Sequence, residues 1–301
     1  MSLVGNNLKR IAIYVPGVLA LCLSAGWQHA NATVFTMTHN GASASVQSAN
    51  SSGMFDWRVS PGGNQMFQQW FWIRAAADTG AGDQATGAEH SIDAMTFDAG
   101  NSGLSNGDRS LKLTYNETLD GTHSFQVVVN YTLTGSPPFN SSLLELVSVK
   151  NTGTGNLDLH FFQYSDVDLG QIAGDDTANF ISPNAIEQFD SEFPGINFHE
   201  ASDTPTPNHW EIDTFSNTRT GLNDGAPTTL CDCTSGITGD VTWAFQWDVL
   251  SMTPGFDIGI TKTKGLQYDS SHQSPEPATL ALFGLGLVGA SVLRRRMRKT
   301  H

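Results

Sequence analysis

The densest chemistry in the 301-residue sequence is a run of carboxylates. Asp166-Val167-Asp168-Leu169-Gly170 is followed closely by Asp175-Asp176. Oxygen ligands crowded onto one loop suit calcium, a hard cation that takes about six to eight oxygens. The run lacks the spacing of an EF-hand, because no third Asp and no closing Glu stand where that loop needs them. It reads either as a calcium site built from Asp166, Asp168, Asp175 and Asp176 or as a solvated acidic loop.

Other groupings carry less. His199-Glu200 and His209 have metal-ligand chemistry, but no H-E-x-x-H spacing joins them. Glu187, Asp190 and Glu192 are candidates for the acid and nucleophile of a glycosidase, yet carboxylates are too common here to single them out. Neither a G-x-S-x-G elbow nor a phosphate-binding glycine loop is present. On these grounds the body is expected to be non-enzymatic. Cys231 and Cys233 stand one residue apart. A bridge between them closes a small ring, which reads as a local loop staple, with a labile redox bridge as the alternative. A zinc clip would need a second Cys or His pair.

The tryptophans leave two readings open. Trp57, Trp70, Trp72, Trp210, Trp243 and Trp247 all fall in expected strands, with Trp70 and Trp72 on one face and Trp243, Phe245 and Trp247 on another. Exposed, such rows would stack on sugar rings. Buried, they would form a sandwich core, which is the preferred reading.

The elements that must position these residues are strands. Ser110–Tyr115 and Ser124–Leu133 alternate with period two. Leu143–Val149 and Leu157–Tyr164 flank a Gly-rich turn and read as a hairpin. Further strands are expected at Phe55–Val59, Met66–Arg74, Ile92–Phe97, Trp210–Phe215, Val241–Leu250 and Phe256–Thr261. No helical stripe of any length interrupts them. The fold expected over 33–264 is all-β, a large antiparallel β-sandwich of jelly-roll or lectin-like form, followed by a linker over 265–274.

Charge is divided unevenly. Between residues 33 and 275 stand eight Lys and Arg against 28 Asp and Glu. So acidic a body excludes nucleic acid and anionic membrane faces as partners, because both need a basic surface.

Both ends read as signals. Lys9 and Arg10 precede an apolar run from Ile11 to Leu23, and Ala30-Asn31-Ala32 supplies the small residues of a signal peptidase site, so residues 1–32 read as a signal peptide. At the other end, Pro275-Glu276-Pro277 precedes the uncharged apolar stretch Ala278–Leu293. Arg294, Arg295, Arg296, Arg298 and Lys299 then form a basic stop. An apolar helix followed by arginines is a membrane segment held with its basic end in the cytoplasm. Sixteen residues at ~1.5 Å rise span roughly 24 Å, short for a lasting anchor.

This tail resembles the PEP-CTERM sorting signal of Gram-negative bacteria. The resemblance rests on Pro275-Glu276-Pro277-Ala278-Thr279-Leu280-Ala281-Leu282, then Phe283-Gly284-Leu285-Gly286-Leu287, then the arginines, and covers about a tenth of the chain. It implies that Pro275, Glu276 and Pro277 are recognised by an exosortase. The protein would be held transiently in the inner membrane, then processed and delivered to the cell surface or beyond. The expected whole is an exported surface or matrix protein associated with exopolysaccharide or biofilm. Its partners would be signal peptidase, exosortase and extracellular polysaccharide, with no cofactor unless calcium binds. A carbohydrate-binding module with calcium is the alternative, and a secreted polysaccharide hydrolase the third reading.

Overall fold

The computed structural model describes residues 33–60, 62–136, 140–233 and 236–268. In chain order the strands are β1 (Val34–His39), β2 (Ala42–Gln47), β3 (Met54–Val59), β4 (Met66–Ala77), β5 (His90–Ser91), β6 (Thr96–Phe97), β7 (Gly103–Ser105), β8 (Ser110–Thr118) and β9 (Ser124–Ser136). They continue with β10 (Asn140–Asn151), β11 (Leu157–Val167), β12 (Asp176–Ser182), β13 (Ala185–Asp190), β14 (Ile196–Thr204), β15 (His209–Thr214), β16 (Ile237–Gly239), β17 (Val241–Met252) and β18 (Asp257–Tyr268). One short helix, α1 (Asn217–Gly221), follows β15.

Two sheets result, and every strand pair within them is antiparallel. The eight-stranded sheet runs β1-β2-β3-β4-β11-β17-β15, with β5 on β4. The ten-stranded sheet runs β16-β12-β13-β14-β18-β10-β9-β8-β6, with β7 on β8. Their inner faces pack as a sandwich. Phe198 of β14 meets Trp57 and Trp243 from the opposite sheet, and Phe180 of β12 meets Phe245. The body is the antiparallel β-sandwich expected from period-two patterning.

Five of the six strand tryptophans form core, not a platform; Trp210 is half-buried against it, and its indole N–H has no hydrogen-bond partner. Trp57, Trp70, Trp72, Trp243 and Trp247 are all at most 1% exposed. Each indole N–H donates inside the fold, to Ser141, Ser91, Asn223, Glu200 and the Pro205 carbonyl respectively. That pairing lets a large amphipathic ring be buried without a lost hydrogen bond.

Strand β11 is buried along its whole length, which a sheet with one wet face does not allow. The segment from α1 to Leu230 covers the outer face: Trp72 Nε1 donates to Asn223, Arg74 to the Thr228 carbonyl, and the Leu230 N–H to Gln246.

Three sequence expectations are corrected. The hairpin expected from Leu143–Val149 and Leu157–Tyr164 does not form, because β10 pairs with β9 and β18 in one sheet while β11 pairs with β4 and β17 in the other. Ile92–Phe97 is not one strand, because Ile92–Ala94 forms a 3-10 turn and only Thr96–Phe97 pairs, with β8. Gly265–Tyr268, expected as linker, are the last residues of β18 and pair with β10 and β14. The residues assigned to the signal peptide (with Ala30 and Ala32), the Pro275-Glu276-Pro277 motif, the membrane helix 278–293 and the basic stop Arg294–Lys299 lie outside the described residues.

Candidate metal centre

Four strand ends meet at one end of the eight-stranded sheet. Strand β11 finishes at Val167 where β4 begins, and β17 begins beside the end of β15. This convergence brings together carboxylates distant in sequence. Asp166 sits on β11, Asp168 follows it, and Asp240 stands immediately before β17. One carboxylate oxygen from each lies within 4.8 Å of the others. They line a cavity of about 100 Å³ together with Phe67, Ala173 and Phe215.

The electrostatics are unbalanced. Asp166 is 1% exposed; its Oδ2 accepts from the Tyr164 hydroxyl at 3.2 Å, while its Oδ1 is buried without a hydrogen-bond partner. No ion pair among the described residues involves any of the three acids. Burial, then the neighbouring Asp168 and Asp240, push the Asp166 carboxyl up to about 8. Burial and Asp240 push Asp168 up to about 6, and burial raises Asp240. Gathered acids with strained ionisation and a buried free oxygen are a donor set suited to a hard divalent cation.

The cavity also has an aromatic wall. Phe67 and Phe215 are 49% and 40% exposed, and their rings meet edge to face with centroids 5.8 Å apart.

The residues expected to form one calcium site divide between two places. Asp166 and Asp168 join Asp240 here, whereas Asp175 and Asp176 join Asp190. The other groupings part as well. Glu200 is wholly buried and paired with Lys262, so it faces no substrate. His209 lies beside Asp232 and Asp248 on the outer face of the eight-stranded sheet. Cys231 and Cys233 are bridged. Sequence reasoning overlooked Asp240, Phe67 and Phe215. Asp240 had a signal, since it stands at the foot of an obvious strand, but nothing local says which strand end it will meet.

The comparisons complete the description. Residues 275–298 match the PEP-CTERM protein-sorting motif. The chain therefore carries the sorting signal that its tail resembles, which marks an exported protein anchored in the membrane before processing, with an exosortase implied as the processing partner. No match is found among curated proteins. Among solved structures, the chain is similar to one from Escherichia coli K12 provisionally assigned as an aldose 1-epimerase, at 11% identity and a TM-score of 0.47, covering 79% of this chain and 99% of that one. A GalM/aldose epimerase homologue from C. elegans gives 9% identity and a TM-score of 0.42, with coverages of 79% and 99%. A 4-alpha-glucanotransferase from Thermococcus litoralis gives 8% identity and a TM-score of 0.42, covering 80% of this chain and 38% of that one. These findings correct the expectation of a non-enzymatic body: the similar structures carry the names of carbohydrate-active enzymes, and that expectation is withdrawn. At this level of likeness no activity passes from them to this chain.

Proposed function

We propose that the body of this exported protein takes up a divalent cation, calcium by its ligand chemistry, at Asp166, Asp168 and Asp240. The observation that supports the reading best is the buried, unpartnered Oδ1 of Asp166 beside two further carboxylates. Ionising so buried a carboxyl without a partner charge costs several kcal/mol, and a bound cation offsets that cost directly. Solvent or ligand oxygens would fill the remaining coordination positions. Calorimetric titration of the chelator-stripped full-length protein with calcium tests this. Binding at this site should be lost in Asp166→Asn and Asp240→Asn with near-ultraviolet circular dichroism unchanged. A pair of variants that bind calcium like the unmutated protein would refute the assignment.

Phe67 and Phe215 favour a second, compatible reading, in which the ligand that completes the cation's coordination is a saccharide. Sugars present hydroxyls that ligate calcium and C–H faces that pack on aromatic rings, and the cavity offers both surfaces side by side. Binding of polysaccharide that requires calcium and is lost in Phe67→Ala would support this reading. Calcium uptake with no saccharide binding would leave the first reading alone.

A further inference from the structure

We infer that Asp175, Asp176 and Asp190 form a second calcium site, separate from the first and fastening the connection between the two sheets. Strand β12 begins at Asp176 and β13 ends at Asp190, and the two residues are directly opposed partners across the antiparallel pair. Like charges facing each other across a ladder destabilise it. Here both are also buried, Asp176 at 1% exposure and Asp190 at 2%.

The protein satisfies one oxygen of each and leaves the other free. Asp176 Oδ2 accepts from the Leu169 N–H at 3.0 Å and from Gln188 Nε2 at 2.7 Å; its Oδ1 has no partner. Asp190 Oδ1 accepts from the N–H groups of Glu192 and Phe193 at 2.7 and 2.6 Å; its Oδ2 has none. Asp175 adds a third carboxylate with a buried, unpartnered Oδ1. One oxygen from each residue lies within 4.8 Å of the others, and none of the three joins an ion pair among the described residues.

The space around Asp190 is kept open by a glycine. A Cβ on Gly170 would fall 2.2 Å from Asp190 Oδ2, and the backbone there has φ +66°. Two protein donors hold the carboxylate of Asp176 and two that of Asp190 while the second oxygen of each stays bare, a prearranged pair of ligands. A cation between Asp176 and Asp190 turns a repulsive pair into a clamp. The connection from β11 to β12, which carries the chain from one sheet to the other, then has one calcium at its start and another at its end.

Counting calcium on the full-length protein by native mass spectrometry, supported by calorimetry, tests this. The unmutated protein should hold two ions, Asp190→Asn one and Asp240→Asn one. Asp175→Asn, on a more accessible residue, should weaken the second site at least tenfold and serves if Asp190→Asn fails to fold. An Asp190→Asn or Asp175→Asn protein that keeps both ions would overturn the second site. So would an unmutated protein holding a single ion that Asp240→Asn removes. A single ion that survives Asp240→Asn and is lost in Asp190→Asn would sustain this site and remove the first.

Discussion

Glu145 of β10 and Lys262 of β18 are directly opposed across the ten-stranded sheet, and their side chains pair at 2.9 Å with no exposed surface on either. They belong to a buried quartet. Lys264 pairs with Glu145 at 2.5 Å, and Glu200 pairs with Lys262 at 2.6 Å. The charges balance, two against two, and polar neighbours complete the network: Gln163 accepts from Lys262, Ser165 donates to Glu200 at 3.0 Å, and Trp243 donates to Glu200 at 2.9 Å. Such a network ties β11 and β17 of one sheet to β10, β14 and β18 of the other through the middle of the core.

Removing one member should therefore cost far more than removing all four. Lys262→Met leaves two carboxylates against one ammonium in a dry core, and about 3–5 kcal/mol of stability should be lost. Replacing Glu145, Glu200, Lys262 and Lys264 together with apolar residues of similar volume should be close to neutral, or stabilising by ~1–4 kcal/mol. Urea midpoints for the two variants measure the difference. A quadruple variant that loses more than the single one would show that the charges themselves, and not their pairing, hold the sheets in register.

Acid should act through the same network. Burial alone would push the Glu200 carboxyl up, but Lys262 and Lys264 outweigh it and hold it at about 2. A carboxyl depressed in the folded state contributes stability that is present above its unfolded value and lost as pH falls through the folded one. Stability should thus decline between pH about 4.5 and pH about 2, by about 3 kcal/mol from this group at 1.36 kcal/mol per unit. Glu200→Gln should flatten that part of the curve while lowering the plateau at neutral pH. An unchanged acid limb in Glu200→Gln would assign the loss to other carboxyls.

Of the quartet, only Glu145 falls in an expected strand. The expected Phe256–Thr261 stops short of Lys262 and Lys264, and no strand is expected around Glu200, although the alternation that buries the lysines is there. In β18, Ile260, Lys262, Lys264 and Leu266 share one face, and in β10, Leu143, Glu145, Val147 and Val149 share another. Charges standing at core-facing positions of apolar strands can only be buried as pairs. The aromatic core and the antiparallel pairing follow from the same alternation. The cation sites were only half legible. Asp166, Asp168, Asp175 and Asp176 stand out by proximity, but their third ligands arrive from other strands, Asp240 at the foot of β17 and Asp190 at the end of β13. Which strand ends meet is set by sheet order, and no local pattern encodes it. The split of one acidic run into two sites has the same cause, since the chain crosses between sheets along it.

Calcium should stabilise the body, and more so as pH rises. The Asp166 and Asp176 carboxyls are each pushed up to about 8, mainly by burial. A carboxyl raised in the folded state binds protons more tightly there than in the unfolded chain, so the ion-free protein loses stability as pH climbs toward that value. A cation replaces those protons, and the loss disappears. At a calcium concentration about 100 times Kd, the gain at one site is ~2.7 kcal/mol. Melting curves near pH 5 and pH 8, with calcium and with chelator, should show the larger shift at the higher pH. Limited proteolysis offers a second view: Gln171, Ile172, Ala173 and Gly174 are exposed between the two acidic clusters, and chelation should speed cleavage there. Equal calcium shifts at both pH values would argue that the ion binds exposed carboxylates instead.

The sorting tail makes an independent prediction. The match over 275–298 places the Pro275-Glu276-Pro277 element at the head of the motif, ahead of the apolar stretch and the arginines. Processing within or just after that element would discard the hydrophobic residues together with Arg294, Arg295, Arg296, Arg298 and Lys299. Protein recovered from outside the inner membrane should then end before the apolar stretch and lack five of the chain's 15 basic residues, a change that both intact mass and isoelectric focusing detect. Replacing Pro275 and Pro277 with alanine should leave the tail in place and the protein in the membrane fraction, because the head of the matched motif would be gone. Delivered protein that retains an intact Arg294–Lys299 segment would mean that the tail serves as a lasting anchor. Sixteen apolar residues, ~24 Å if wound as a helix, would then have to suffice against a core of ~30 Å.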